Sequence, residues 1–439
     1  LHPALVRTLD RAIELGTSRR YLQHLGQLRE MEHWSREQLE AFQLRKLADL
    51  LDHAQAHVPY WRRVLKGRGE ELARPDRFRG IPFLTKDLFQ EQGSALVDER
   101  GSPRRVKRSS TGGSTGKNIW FLVDLNAFDH RRAAVRLIDE WEDVRPGTRI
   151  VSLWGSPLDA RRSRLSRMYD RLGNRLFLSA YGLDDAKVEE YAGRLLQFQP
   201  QVIVSYPSIL LHFAQRLGRQ RCRELHLQRI FSEAEALYPS VRSELEDLFG
   251  CRVCNRYGCR EFGKIAAQCP ESGVLHVVDS RFFVESISFD GGEPELVITD
   301  LDNAIQPFIR YRIHDSARIL EGACSCGRPF TRLETVAGRS LDVIATPAGK
   351  AFGGTFFTLL LRPADQAIEQ FQVVQEASDK IRVLVVPGPA WSPSRQAEIR
   401  AKLEAQLEGV SCLVQTVAEI PALASGKRRF VVGLTPGPR

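Results

Sequence analysis

DDAKVEEYAGRLLQF (184–198), QVIVSYP (201–207), RIFSEA (229–234), YPSVRSELEDLFG (238–250) and CRVCNRYG (251–258) follow one another along the chain. The first and fourth read as helices, the others as short strands bounded by turn residues. Strands alternating with helices need crossover connections, which favour parallel pairing. Working outward, IWFLVD (119–124) and RIVSLWG (149–155) carry the alternation back, so that it runs from about 104 to 300. FFVESISF, ELVITDL and FIRYRI make residues 281–313 richer in strand, which predicts an antiparallel or barrel-like subdomain.

Residues 1–103 read as mainly helical. Leu39, Leu44, Leu47, Leu50 and Leu51 recur at helical spacing, Ser35 stands three residues before Gln38 as in a capping box, and Pro59 ends that helix or begins the next. Near 338 the character changes to a short Gly- and Pro-containing β pattern, followed by a β-α-β-β-α-β arrangement. The expected fold class is α/β: a large N-terminal domain (1–338) with mostly parallel sheets plus a strand-rich subdomain, a boundary at 339–342 around Leu341 and Asp342, and a small α+β domain (343–439).

The 439 residues are 43% apolar and 27% charged, the balance of a globular protein with more than one core. No apolar run approaches the roughly 20 residues that span a bilayer. The first 16 residues read as an amphipathic helix, not a signal peptide. The net charge is +9, but no basic stripe interleaved with aromatics points to nucleic acid. The eight cysteines are irregularly spaced, as expected of a reduced, cytoplasmic protein.

Five short segments carry chemistry. Ser109 to Lys117 reads SSTGGSTGK: Gly112, Gly113 and Gly116 let the backbone approach a polyphosphate, Ser110, Thr111, Ser114 and Thr115 add hydroxyls, and Lys117 adds a positive charge. It is not a Walker A loop, because Thr111 and Asn118 stand where that pattern needs Gly and Ser or Thr. Tyr257-Gly258-Cys259-Arg260-Glu261 follows a strand and combines an aromatic ring, a turn glycine and a carboxylate. Asp315 closes YRIHD at a strand end, Gly338-Arg339 lies at the domain boundary, and Ser425-Gly426-Lys427 lies in a loop near the C-terminus. Taken singly, each also fits an ordinary turn.

The ordered set TGGSTGKN, YGCRE, YRIHD, CSCGR, GRSLD and SGK resembles the adenylate-forming superfamily of acyl-CoA synthetases, luciferases and peptide-synthetase adenylation domains. Within it the chain is most similar to the phenylacetate–CoA ligase family and its capsule-biosynthesis-associated relatives, from about residue 30 onward. The resemblance implies ATP-dependent activation of a carboxylic acid to its acyl-AMP, followed by transfer to CoA or, alternatively, to a carrier-protein thiol or an amine. An alternative of another class is a non-catalytic paralogue that binds a nucleotide or a partner; the intact loop, Glu261, Asp315 and Lys427 argue against it. Ser110 to Lys117 would hold ATP phosphates, Glu261 would bind Mg²⁺, and Tyr257 and Gly258 would lie against adenine. Asp315 and Arg339 would contact ribose. Lys427, with Glu261 and Thr115, would be catalytic. A homodimer is compatible with it; nucleic-acid and membrane partners are not expected. The chain departs from the family pattern at Asn118, at His314 in place of a Gly, and at Leu341, where the hinge Asp is expected.

Cys269, His276, Cys324 and Cys326 offer three thiolates and an imidazole, a donor set suited to structural Zn²⁺, and some members of the resembled family place such residues similarly. The alternative is buried free thiols. A rival set, Cys251, Cys254 and Cys259, is disfavoured, because Cys251 and Cys254 would point to opposite faces of one strand. Trp154, Ser205, Tyr206 and Ser232, at strand ends, are candidates for the acyl pocket or for core packing.

Overall fold

A computed structural model describes residues 20–101, 106–110, 119–154, 170–180, 185–237, 239–289, 294–334, 343–347, 350–361, 367–420 and 431–434, with the single positions 8, 168 and 183. The N-terminal part is helical. Helix α1 spans Tyr21–Met31 and α2 spans Arg36–His57. Ser35 and Gln38 form the reciprocal capping box, and Pro59 opens a short helix, Pro59–Val64. Leu39, Leu47, Leu50 and Leu51 are buried, whereas Leu44 is 41% exposed. The interior position beside it is taken by Gln43, whose amide donates to the carbonyls of Asp279 and Phe282.

Strands β1 (Val106–Ser110) and β2 (Trp120–Asp124) pair as an antiparallel ribbon on either side of residues 111–118. Asp124 then caps α3 (Leu125–Trp141) by accepting from the Ala127 amide at 2.7 Å.

The central nine-stranded sheet has the order β13-β14-β9-β8-β7-β6-β5-β3-β4. Its strands are β3 (Ile150–Trp154), β4 (Arg175–Ser179), β5 (Val202–Ser205), β6 (Arg229–Glu233), β7 (Arg252–Cys259), β8 (Gly263–Gln268), β9 (Leu275–Val277), β13 (Ile319–Leu320) and β14 (Arg332–Leu333). From β4 to β7 all pairing is parallel, with α4 (Asp185–Phe198), α5 (Pro207–Leu217) and α6 (Pro239–Phe249) connecting and covering it. Beyond β7 the pairing becomes antiparallel, so "mostly parallel" describes one wing of the sheet. The cause is local: β7 and β8 are joined by the short turn 260–262, which leaves no room for a crossover.

The strand-rich region is a separate three-stranded antiparallel sheet of β10 (Phe282–Ile287), β11 (Glu295–Asp300) and β12 (Tyr311–Ser316). Leu84 bridges to β12, its amide donating to the Arg310 carbonyl and its carbonyl accepting from Arg312, so the helical N-terminal part is stitched to this sheet.

Toward the C-terminus lie β15 (Val343–Ala345), β16 (Ala351–Gly353), α7 (Gly354–Leu361), β17 (Ile368–Ala377), β18 (Lys380–Pro387), α8 (Pro393–Gln406), β19 (Ser411–Thr416) and β20 (Val431–Val432). From β16 onward the order is β-α-β-β-α-β followed by β20, one strand more than the β-α-β-β-α-β pattern expected to end at KRRFVV (427–432), and a four-stranded sheet β19-β18-β17-β20 packs its own core around Phe357, Val383, Ile399 and Leu403. Among the described residues no helix is long and apolar enough to cross a membrane.

Candidate nucleotide site and cysteine cluster

Tyr257 and Gly258 lie near the end of β7, Glu261 lies in the following turn, and Asp315 lies near the end of β12. The fold brings these separate segments together where the central sheet meets the three-stranded one. The Tyr257 hydroxyl donates to Asp315 Oδ2 at 2.9 Å, and the Tyr311 hydroxyl donates to Glu261 Oε1 at 3.4 Å. Burial first, then the Asp315 charge, holds the Tyr257 phenol well above its usual range, so it stays a donor. Gly258 is demanded by the hairpin: a Cβ there would stand 2.2 Å from the Gly263 carbonyl oxygen. The Cys259 thiol is likewise pushed well up, by burial and then by Glu261, which disqualifies it as a nucleophile. Tyr311 was visible in YRIHD but carried no assigned role; its pairing with Glu261 depends on two strands remote in sequence.

His314, expected to sit tightly in place of a glycine, has φ of 64°, the left-handed region. Glu295 compensates by accepting from the His314 amide at 3.2 Å and lying 3.3 Å from its ring nitrogen Nδ1, while Arg312 binds the same carboxylate at 2.8 Å. Burial pushes Glu295 upward, but these partners outweigh it and hold its pKa at about 2.

Ser110 ends β1, opposite Trp120. Thr111, Gly112, Gly113, Ser114, Thr115, Gly116 and Lys117 lie outside the described residues, as do Arg339, Leu341, Asp342 and Lys427. Of the acyl-pocket candidates, Trp154 and Tyr206 contact each other with ring centroids 4.5 Å apart. Ser205 and Ser232 are register partners on β5 and β6, and both are buried. Ser205 donates to the Leu153 carbonyl, so its hydroxyl serves the sheet; among the described residues Ser232 Oγ has no partner.

Cys269, His276, Cys324 and Cys326 converge, with one donor atom from each lying within 4.8 Å of all the others. Cys269 Sγ and Cys324 Sγ are 4.0 Å apart, and Cys326 Sγ is 3.3 Å from His276 Nε2. A zinc tetrahedron with sulfur bonds of about 2.3 Å has edges of about 3.8 Å, so the donor set fits. The other imidazole nitrogen, Nδ1, faces the Phe330 carbonyl at 3.3 Å, an arrangement that points Nε2 at the sulfurs. Burial pushes His276 down to about 4, leaving the ring neutral at neutral pH. Burial would raise Cys324, but hydrogen bonds from Ser272 and the Cys326 amide bring it down to about 7. Among the described residues this is the one such group of His, Cys, Asp or Glu, and Cys251, Cys254 and Cys259 form none.

The CapK C-terminal domain family matches residues 344–433. Protein CapK of Staphylococcus aureus is 25% identical over 362 residues, covering 80% of this chain and 79% of that protein. A phenylacetate-coenzyme A ligase of Thermus thermophilus is 28% identical over 336 residues, covering 72% and 73%. In fold, the chain resembles a 2-hydroxyisobutyryl-CoA ligase solved with 2-HIB-AMP and CoA in its thioesterification state: TM-score 0.61, 19% identity, 92% of this chain and 91% of that one. Sequence relatives and fold thus point the same way: over most of its length the chain is similar to CapK and to phenylacetate-coenzyme A ligases, and it has the fold of an adenylate-forming ligase.

Proposed function

We propose that this chain activates a carboxylic acid with ATP to the acyl-AMP and then passes the acyl group to the thiol of coenzyme A. The observation that carries this reading is the convergence of Tyr257, Glu261, Tyr311 and Asp315 at one junction of two sheets. A carboxylate oxygen of the acid attacks the α-phosphorus, and the bond to pyrophosphate breaks. Positioning and charge stabilisation supply most of the rate in such a displacement.

In this reading Ser114, Thr115 and neighbouring amides hold the β- and γ-phosphates, and Lys427 stabilises charge on the transferring phosphate. The Tyr257 ring lies against adenine while its hydroxyl orients Asp315 toward ribose, which Arg339 also contacts. Glu261 would hold Mg²⁺, which would supply neutralisation of the triphosphate charge. The small domain turns about residues 339–342 between the two steps, bringing Lys427 to the phosphates for the first only. Cys269, His276, Cys324 and Cys326 would hold Zn²⁺ in a structural role, since four protein donors would leave no open position for substrate.

An ATP–pyrophosphate exchange screen across aryl, fatty, hydroxy and amino acids tests the first step, with exchange dependent on one acid class expected. Absence of exchange with every class overturns the reading. Single-turnover transfer from the resulting acyl-AMP then separates CoA from a carrier-protein thiol or an amine as acceptor.

A further inference from the structure

The turn that presents Glu261 is held from beneath by two arginines remote in sequence. Arg131 Nη2, on α3, donates to the Glu261 carbonyl at 2.6 Å and to Asp300 Oδ2 at 3.2 Å. Arg281 donates to the Phe262 carbonyl at 3.1 Å and the Lys264 carbonyl at 3.3 Å, and its Nε pairs with Asp302 at 3.3 Å. The Arg281 and Asp300 side chains are 0% exposed and Arg131 is 13% exposed, so both guanidiniums act in a low-dielectric interior with their charges balanced. Gly263 completes the cradle: its φ is +73°, and the Arg131 stem passes 3.7 Å from where a Cβ would stand.

Packing alone does not account for this arrangement. The apolar residue of the turn, Phe262, is already anchored among Phe282, Phe308 and Tyr311. Two carbonyls of the turn, those of Glu261 and Phe262, and that of Lys264 at the start of β8 additionally face guanidinium donors. Fixing those carbonyls fixes the peptide plane that follows Glu261, while the pairing of Cys259 with Gly263 holds the chain that enters the turn, so the direction of the Glu261 Cα–Cβ bond is restrained from both sides. We propose that Arg131, held by Asp300 and assisted by Arg281, is a positioning residue that aims the Glu261 carboxylate at the metal–triphosphate. This inference rests on the assignment of Glu261 as the metal ligand.

The test uses Arg131→Ala, Glu261→Gln and the double variant. Mn²⁺ binding in the presence of a non-hydrolysable ATP analogue is followed by water-proton relaxation, alongside the Mg²⁺ dependence of pyrophosphate exchange. Arg131→Ala is expected to weaken Mn²⁺ binding about tenfold or more, as loss of a ligand's supporting partner does. In the Glu261→Gln background the same change should shift binding by less than about twofold, because the two residues act through one another. Arg131→Lys retains a charge for Asp300 but stops a bond short of the carbonyl; it serves if the alanine variant fails to fold, with an intermediate loss expected. Equal losses from Arg131→Ala in both backgrounds, or none in either, overturn the positioning role while the metal assignment stands. Unchanged Mn²⁺ binding in Glu261→Gln overturns the metal assignment itself, and this inference with it.

Discussion

The antiparallel wing of the central sheet carries two clusters built in opposite ways. At the Tyr257–Asp315 junction, carboxylates and phenols meet at the seam between two sheets, with Glu261 half-buried and Arg131 and Arg281 holding its turn. At the cysteine cluster, three of the four donor residues are buried and every one turns inward on its partners. In the proposed reading the first meets a nucleotide that comes and goes, whereas the second, with zinc, would tie the segment around 269–276 to the segment around 324–326. Proximity of ligand-type side chains is therefore not enough to read a role. The role depends on whether the cluster leaves a position open, and the two regions should fail differently when altered.

The largest separation is expected from Lys427→Ala, on the nucleotide side. Acyl-AMP formation should slow by about 3–4 kcal/mol in barrier, the worth of a charge-stabilising donor in a water-poor site, while thermal unfolding stays put. Transfer from supplied acyl-AMP should be near normal; single-turnover kinetics of both halves, showing equal losses, would break the assignment. Cys326→Ser should do the reverse. Metal analysis should find about one zinc per native chain and none in the variant, with stability lower by about 3 kcal/mol and little change in the exchange rate of the folded fraction. Native protein without zinc, prepared free of chelators, would erase the contrast.

A smaller effect is expected from Tyr257→Phe, which keeps the ring and removes only the hydrogen bond to Asp315. The affinity for ATP should fall by about 1 kcal/mol, or fivefold, with the melting temperature nearly unchanged. Loss of stability without loss of affinity would place Tyr257 in the core and not at the site. The smallest concerns acid. Glu295 is held at about 2, below its ordinary value of 4.5, by His314 and Arg312 against the opposing effect of burial. A depressed carboxyl contributes stability that is present above the ordinary value and lost as pH falls toward the folded one. Denaturant titrations between about pH 4.5 and 2 should therefore show a shallower acid decline in Glu295→Gln than in the native chain. Identical slopes would mean that Glu295 does no more than cap the His314 backbone.

Much of this was legible in the sequence. The alternation from 104 to 300 points to the parallel wing, Ser35 and Gln38 form the capping box that their spacing predicts, and the donor types of Cys269, His276, Cys324 and Cys326, with the family resemblance, point to the cluster that converges. These features are local, or depend on residue types with few uses: a capping residue and its partner sit within one turn, and soft ligands near one another have a narrow chemistry. The phosphate loop, Arg339, the boundary residues and Lys427 were also named from sequence, and they lie outside the described residues.

Tertiary structure decided what depends on distant partners. Leu44 has the helical spacing of its buried neighbours yet faces solvent, because Gln43 finds two carbonyls near residue 280 and takes the interior place. Ser205, a candidate for the acyl pocket or for core packing, donates its hydroxyl to the Leu153 carbonyl of the adjacent strand. Tyr311, Arg131 and Arg281 gained their meaning only when hairpins and helices far apart in the chain were stacked against the Glu261 turn. Sequence determines periodicity, caps and chemical type, because these act over a few residues. Which carboxylate a buried arginine neutralises, and which carbonyl it then holds, is set by packing across roughly 130 to 170 intervening residues, and no local pattern encodes that choice.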